Sequence, residues 1–199
     1  MGNRTSVKAK FFEPQGVSAA LVSASAAATT LVIADGGPYG NLTQTITIAS
    51  ASGNNAGNTF TITGTDGNGD ALTEDLTGPG SGATVNSAEK YLTVTSIVSD
   101  GAIVSDIYAG ILGTGTGTGT VFAGRTRVRG MQGATKAAAG NVVFKNTSIT
   151  GTSLLTIPLT GAVSSIDPYI PDNGVLFDAG AYVNITAADI TGVTVYYDG

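Results

Sequence analysis

The chain has 199 residues, of which 29 are Gly, and it contains no Cys, Trp or His. Without His or Cys, it cannot build a Ser-His-Asp or Cys-His catalytic group or an ordinary zinc site. Charged residues make up 12% of the chain and the formal net charge is −5, which argues against general nucleic-acid binding because phosphates require a basic surface.

The composition favours β-structure. With 42% hydrophobic residues the chain is too apolar to be disordered, and its many Gly and Thr residues are poor helix formers. No run reaches the roughly 18 apolar residues of a membrane span. We therefore predict an all-β protein that binds neither nucleic acid nor membrane.

The N-terminal arm carries three cations, Arg4, Lys8 and Lys10, and is followed by a stretch of small and apolar residues at 17–34. A signal peptide would have this order, but residues 13–16 (Glu-Pro-Gln-Gly) interrupt the apolar core. We expect a protein that is made in the cytoplasm and is not processed.

Strand patterns dominate the first half. Thr29–Ile33 is a β-branched run, and Leu42–Ile48 alternates polar and apolar residues with the period of two that a half-buried strand requires. The segment Thr59–Thr77 reads as a hairpin, because its two arms flank Asp66–Asp70, whose residues tolerate positive φ. Ser87–Lys90 predicts one helical turn. Three further strands are predicted at Tyr91–Val98, Ala102–Val104 and Ile107–Ala109.

Residues 113–120 repeat Gly-Thr four times. This segment is either a flexible linker or an extended strand whose Gly face packs flat on a neighbour. We favour the linker, and divide the chain into an N-terminal β domain at 1–120, with its extended arm, and a C-terminal domain at 121–199.

The C-terminal part predicts a series of short strands separated by turns, which is typical of a sandwich or jelly-roll domain. Ala134–Ala139 predicts at most one helical turn. The strands lie at Arg125–Arg129, Asn141–Lys145, Ser153–Ile157, Val175–Phe177, Ala181–Ile185 and Val193–Tyr197. The fold class is thus all-β, with two small antiparallel β-sandwich or jelly-roll-like domains joined by the Gly/Thr segment.

Motifs with catalytic or metal-binding chemistry are weak. Asp66, Asn68 and Asp70 match the first ligand spacings of an EF-hand loop, but Ala71 and Thr77 stand where that loop requires Gly and Glu. Glu74 and Asp75 are adjacent, so on a strand they point to opposite faces and cannot act as a carboxylate pair. We expect a non-enzymatic protein without metal or cofactor.

The charge distribution is uneven. Residues 125–145 carry five bases and no acid, whereas 11–124 carry nine acids and one base. Arg125, Arg127 and Arg129 alternate, so that on a strand all three share one face. This face is either simply solvated or docks an acidic partner, such as the acidic part of a neighbouring subunit.

Two stretches resemble proteins of the tailed-phage virion. The first runs from Phe60 to Pro79 and continues at Lys90–Ile97. The second is the closing series of Ser153–Ile157, Tyr169–Pro171, Asn173–Phe177, Gly180–Val183 and Val193–Tyr196. The resemblance implies a structural role in the virion, as a capsid decoration (cement) protein or as a tail, adaptor or fibre component, and it supplies no active site.

From this resemblance we expect a decoration protein that stabilises the head by bridging capsomers, assembled in the host cytoplasm. Its expected partners are the major capsid protein or other virion proteins. The chain has few Lys residues that could prevent its edge strands from pairing with other chains, and this favours self-association as a homotrimer. The expected interface residues are Arg4, Lys8, Lys10, Arg125, Arg127 and Arg129, as contacts to acidic shell surfaces. A glycan-binding or carbohydrate-active module is the alternative from another class.

Overall fold

Antiparallel sheets make up the computed structural model of the chain, which describes residues 6–15, 18–25, 29–113, 116–171, 173–186 and 189–199. Sixteen strands lie in these ranges, and none of the residues described forms a helix. The prediction of an all-β fold is therefore confirmed.

The strands follow one another with short connections. The first eight are β1 (Lys8–Phe12), β2 (Ser18–Ser25), β3 (Gln44–Ser50), β4 (Thr59–Thr65), β5 (Ala71–Thr77), β6 (Thr84–Tyr91), β7 (Thr93–Ser99) and β8 (Ile107–Ile111). The remaining eight are β9 (Thr116–Phe122), β10 (Thr126–Thr135), β11 (Ala139–Asn146), β12 (Ser153–Thr160), β13 (Ser165–Ile166), β14 (Val175–Phe177), β15 (Ala181–Thr186) and β16 (Ile190–Asp198).

The chain divides into two compact units. Unit 1 comprises Met1–Pro14, Gly40–Leu42 and Thr116–Gly199, and unit 2 comprises Gln15–Tyr39 and Thr43–Gly115. The sequence analysis placed the N-terminal arm in the first domain. In the structure the arm belongs with the C-terminal strands, because β1 pairs antiparallel with β16 along its whole length.

Unit 1 is a sandwich of two sheets. One sheet has the order β1-β16-β10-β13, with β14 also paired to β10, and the other has the order β12-β11-β15-β9. Alternate residues of both sheets meet in one apolar core, as the period of two requires. Its largest fully buried members are Phe12, Phe144 and Phe177.

Unit 2 is built in the same way from a four-stranded sheet, β2-β8-β3-β6, and a three-stranded sheet, β5-β4-β7. Its separate core includes Phe60, Ile62, Tyr91 and Ile97, all fully buried. Two cores of this kind are what two β-sandwich domains need, and the sandwich character predicted from the strand spacing is confirmed.

The predicted hairpin is present as β4 and β5, with register from Thr59 opposite Thr77 to Thr65 opposite Ala71. The carboxylate of Asp66 closes its turn by accepting the backbone N–H groups of Asn68 and Asp70 at 2.8 and 2.9 Å. The turn itself therefore accounts for the side chains of Asp66 and Asn68, since the Asn68 amide also donates to the Asp66 carboxylate at 3.1 Å.

The linker interpretation of the Gly-Thr repeat is wrong from Thr116 onward, and residues 114 and 115 lie outside the described residues. Thr116–Phe122 is β9, an edge strand that pairs with β15. A Cβ on Gly119 would lie 2.6 Å from the Phe12 ring and 2.5 Å from the Asn41 carbonyl oxygen. The glycine face thus packs flat on its neighbours, as the second interpretation required.

The helical turn predicted at Ser87–Lys90 is also wrong, since these residues belong to β6. Thr45 and Thr47 of β3 pair with Lys90 and Asn86, so three residues of β6 bulge out opposite Ile46. The Ser87 hydroxyl accepts the N–H of Ile46 at 2.9 Å and replaces the missing ladder bond.

The remaining differences concern short segments. Thr29–Ile33 forms one isolated bridge, from Thr30 to Val98, instead of a strand. Ala102–Val104 is not a strand either, because the buried Asn55 amide bonds both backbone groups of Val104. Ala134–Ala139 spans the end of β10 and the start of β11, with no helical turn.

Candidate interaction site

Most of the cations expected from the sequence lie in unit 1 near the end of β16. Arg4 lies outside the described residues. Lys8 and Lys10 are on β1, Arg125 directly precedes β10, and Arg127 is on β10 opposite Asp198. The pairing of β1 and β10 with β16 brings these cations together from distant parts of the chain.

The predicted alternation of the three arginines holds over only part of the strand. Arg127 and Arg129 are half-exposed and flank the buried Val128, whereas Arg125 lies before the strand and is exposed. A β-bulge between Val128 and Gly130 falls at Arg129 and re-aims the strand beyond it. Sequence periodicity could not reveal this bulge.

Each arginine has a contact within unit 1. Arg129 pairs with the Asp198 carboxylate at 3.6 Å, and Arg127 donates to the Asn173 carbonyl oxygen at 3.1 Å. Arg125 lies 3.8 Å from an Asp178 carboxylate oxygen, and both side chains are about 70% exposed (69% and 74%). An ion pair this open contributes little to stability, so Arg125 is available to another carboxylate.

The two lysines of β1 bond backbone carbonyl groups. The Lys8 ammonium donates to Gly199 at 2.7 Å and lies 5.6 Å from the centre of the Phe122 ring. The Lys10 ammonium donates to Thr120 on β9, also at 2.7 Å, and joins the two sheets of unit 1. Burial lowers the pKa of Lys10 below its usual range, so this residue belongs to the fold more than to the surface.

A shallow pocket of about 280 Å³ lies among the arginines. We call it the arginine pocket; it is lined by Arg125, Thr126, Arg127, Leu176, Asp198 and Gly199. The Thr126 hydroxyl donates to the Asp198 carbonyl oxygen and fixes the floor of the pocket. The sequence pointed to the two arginines but gave no signal for Asp198 or Leu176, which reach the pocket only through pairing with β10.

A second surface on unit 1, the outer sheet face, was not expected from the sequence. It is formed by two cross-strand rows, Phe11–Thr194–Gln132 and Ala9–Tyr196–Gly130. None of these six residues is charged, and the Tyr196 hydroxyl donates to the Gln132 side chain at 2.9 Å. Phe11 is 50% exposed and its ring rests on Gly192, where a Cβ would lie only 2.6 Å away.

The acidic residues of unit 2 give no metal centre among the residues that the structure describes, where no group of three or more Asp or Glu side chains could hold an ion. The Asp66 carboxylate is occupied by its own turn. The Glu74 carboxylate accepts the backbone N–H groups of Ala88 and Glu89 at 2.7 and 3.1 Å, and so holds the bulge of β6.

Comparison with known proteins adds no identification. No family model, no curated protein and no solved structure matches this chain. In the described part of the chain there is no helix that is long and apolar enough to cross a membrane.

Proposed function

We propose that the chain is a non-enzymatic structural protein of a tailed-phage virion, and that it decorates the capsid by bridging neighbouring capsomers. Two features support this proposal. The stretches that resemble virion proteins form the β4–β5 hairpin with β7 of unit 2 and several strands of unit 1. Moreover, the two concave features described on unit 1, of about 280 and 310 Å³, are open to solvent, which suits contact between surfaces.

The observation that carries the proposal is the outer sheet face, whose two cross-strand rows hold no charge and whose groove reaches one acid, Glu13. An exposed Phe11 beside Thr194, Gln132 and Tyr196 offers apolar area together with hydroxyl and amide groups. Exposed aromatic residues are typical of the centre of a protein–protein interface. Such a face on a sandwich can lie flat on a shell subunit.

The cations near the end of β16 supply the electrostatic part of the proposal. In this proposal the positive charges of Arg125, Arg127 and Lys8 steer unit 1 toward an acidic shell surface. Replacement of Arg125, Arg127 and Arg129 by Ser is expected to weaken binding of the protein to shells that lack it. Unchanged shell affinity would remove the arginines from the proposed contact.

The direct test is the number of copies per particle. Particles purified from a lysate of the phage that encodes the chain are digested, and the chain is quantified against the major capsid protein by mass spectrometry. Hundreds of copies support decoration. About three to twelve copies, the numbers of closed tail rings, would assign the chain to the tail, the adaptor or a fibre instead. Absence of the chain from purified particles would refute a virion role.

A glycan-binding role is the second candidate. The groove of about 310 Å³ beside Phe11 is lined by polar groups that could bind sugar hydroxyls: Glu13, Gln132, Thr191 and Thr194. An aromatic ring beside such groups suits an amphipathic ligand. A glycan array separates the two roles. Binding at millimolar or tighter dissociation constants that is lost in Phe11→Ala would favour this candidate.

A further inference from the structure

The division into units separates the charges of the chain. Unit 2 contains eight acids and one base, Lys90, a formal charge of −7, whereas unit 1 contains eight bases and six acids, a formal charge of +2. One base cannot neutralise eight carboxylates, so unit 2 retains a strong negative field. The N-terminal cations add to the positive side, because β1 belongs to unit 1.

The acids of unit 2 are concentrated on one feature, which we call the acidic hairpin and define as β4, β5, the turn between them and the adjoining bulge of β6. It carries five of the eight acids: Asp66, Asp70, Glu74, Asp75 and Glu89. Asp70, Asp75 and Glu89 are exposed. Asp75 lies on β5, the edge strand of its sheet, and its carboxylate accepts the Thr61 hydroxyl at 2.7 Å. Asp70 directly precedes this strand, so a partner that approaches the edge can reach both carboxylates.

The arginine pocket of unit 1 has the opposite character. The Arg125 side chain is 69% exposed, and its 3.8 Å contact with Asp178 is a weak solvent-exposed pair. Arg127 donates one hydrogen bond, to a carbonyl oxygen, and a guanidinium group has five N–H donors. The planar fork of each guanidinium fits a carboxylate in a bidentate manner.

We propose that the arginine pocket of one copy binds the acidic hairpin of a second copy, with Arg125 and Arg127 contacting Asp70 and Asp75. A second copy is the occupant because the chain itself carries both complementary surfaces, and the acidic one has no sufficient counter-charge within its own unit. The inference does not rest on the virion role.

This contact joins two different patches. In a two-fold dimer it is made twice, with the pocket of each copy on the hairpin of the other. Repeated head-to-tail, it closes into a ring when the rotation between copies permits and otherwise forms a filament. The homotrimer expected from the sequence would be one such ring.

The test is sedimentation velocity of the full chain over a range of concentrations at low salt and at 1 M NaCl. We expect association at low salt that is lost at 1 M, where the Debye length falls to about 3 Å. The variants R125E/R127E and D70K/D75K are each expected to raise the dissociation constant more than about thirtyfold. Circular dichroism of both variants verifies that they fold.

Mixing the two variants gives the decisive result. The intact hairpin of R125E/R127E can bind the intact pocket of D70K/D75K, and the reversed pocket and the reversed hairpin also carry opposite charges. Association that appears only in the mixture, with each variant alone monomeric, supports the inference. Two folded variants that stay monomeric when mixed, or that each associate alone as the unmodified chain does, would overturn it.

A matched pair of single substitutions controls for net charge. Arg127→Glu and Lys136→Glu change the charge of unit 1 equally, but Lys136 follows the opposite end of β10. Only Arg127→Glu is expected to weaken association. Equal effects of the two substitutions would refute the pocket. A chain that is abundant in particles but monomeric in solution would remove this inference and leave the proposed function standing.

Discussion

Gly119 of β9 tests the packing of the Gly-Thr repeat. A Cβ at this position would lie 2.5 Å from the Asn41 carbonyl oxygen and 2.6 Å from the Phe12 ring, which is fully buried. Because carbon atoms pack at about 3.5–4.0 Å, Gly119→Ala forces its neighbours apart by about 1 Å. Overpacking of this kind costs about 1–3 kcal/mol, and the lower entropy of unfolded Ala offsets about 0.4–1 kcal/mol.

We therefore expect Gly119→Ala to lower the free energy of unfolding by about 1–2 kcal/mol and the melting temperature by about 5–10 °C, measured by denaturant titration and calorimetry. Gly117→Ala should cost less, since its Cβ would meet only the Leu42 side chain at 3.0 Å. Gly130→Ala, with its nearest atom at an ordinary 3.5 Å, is the matched control. If Gly119→Ala is as stable as Gly130→Ala, the repeat does not pack as described.

Three further predictions concern unit 2. Burial, reinforced by nearby carboxylates, raises the pKa of Tyr39 and Tyr91 in the folded protein above the unfolded value near 10, so the stability present below pH 10 is lost as the pH rises above it. An alkaline absorbance titration should show two phenols that ionise only as the protein unfolds. Seven phenols that titrate alike would contradict this prediction. Asn55→Ala removes an amide that is 1% exposed and bonds the N–H and the C=O of Val104, and it should cost about 1–3 kcal/mol in a denaturant titration. A loss below about 0.5 kcal/mol would show that these two hydrogen bonds do not stabilise the segment. Glu74→Gln leaves one of two backbone N–H groups without its carboxylate acceptor and should cost about 1–3 kcal/mol. Glu89→Gln, at an exposed position of the same bulge, should cost under about 0.5 kcal/mol, and equal losses would show that the bulge does not depend on Glu74.

Strands with clear alternation could be predicted from the sequence. The strands β3, β4 and β16 each bury one face, and the alternation of polar and apolar residues that produces this is a local property of the chain. The hairpin turn was equally local, because Asp66 bonds residues two and four positions ahead. Such features need no knowledge of the rest of the fold.

The predictions that were wrong concern segments whose structure depends on residues far away along the chain. Ser87–Glu89 has a helical composition, but Ile46 and the Glu74 carboxylate hold it in a bulge. The Gly-Thr repeat becomes a strand because β15 and Phe12 lie against it. Tertiary contacts of this kind override local propensity, and a single sequence does not display them.

The candidate site also has a part that could be predicted from the sequence and a part that could not. The alternating arginines were visible in the sequence, and two of them line a pocket. Asp198, the acid that pairs with Arg129, lies on β16 and is 72 residues from Thr126 of β10 along the chain. Lys8 also reaches this region only because β1 pairs with β16. The outer sheet face around Phe11 exists only because β1 leaves the N-terminal half to join unit 1.

The central claim is that this chain acts by adhering to a viral shell and performs no bond-making chemistry. A low-resolution cryo-electron-microscopy image of the particle, compared with one from a phage in which the gene is deleted, tests it most directly. The account predicts added density of two small sandwich-sized lobes repeated over the head surface and missing from the deletion particle. Identical heads in the two particles, with the difference at the tail or nowhere, would contradict it.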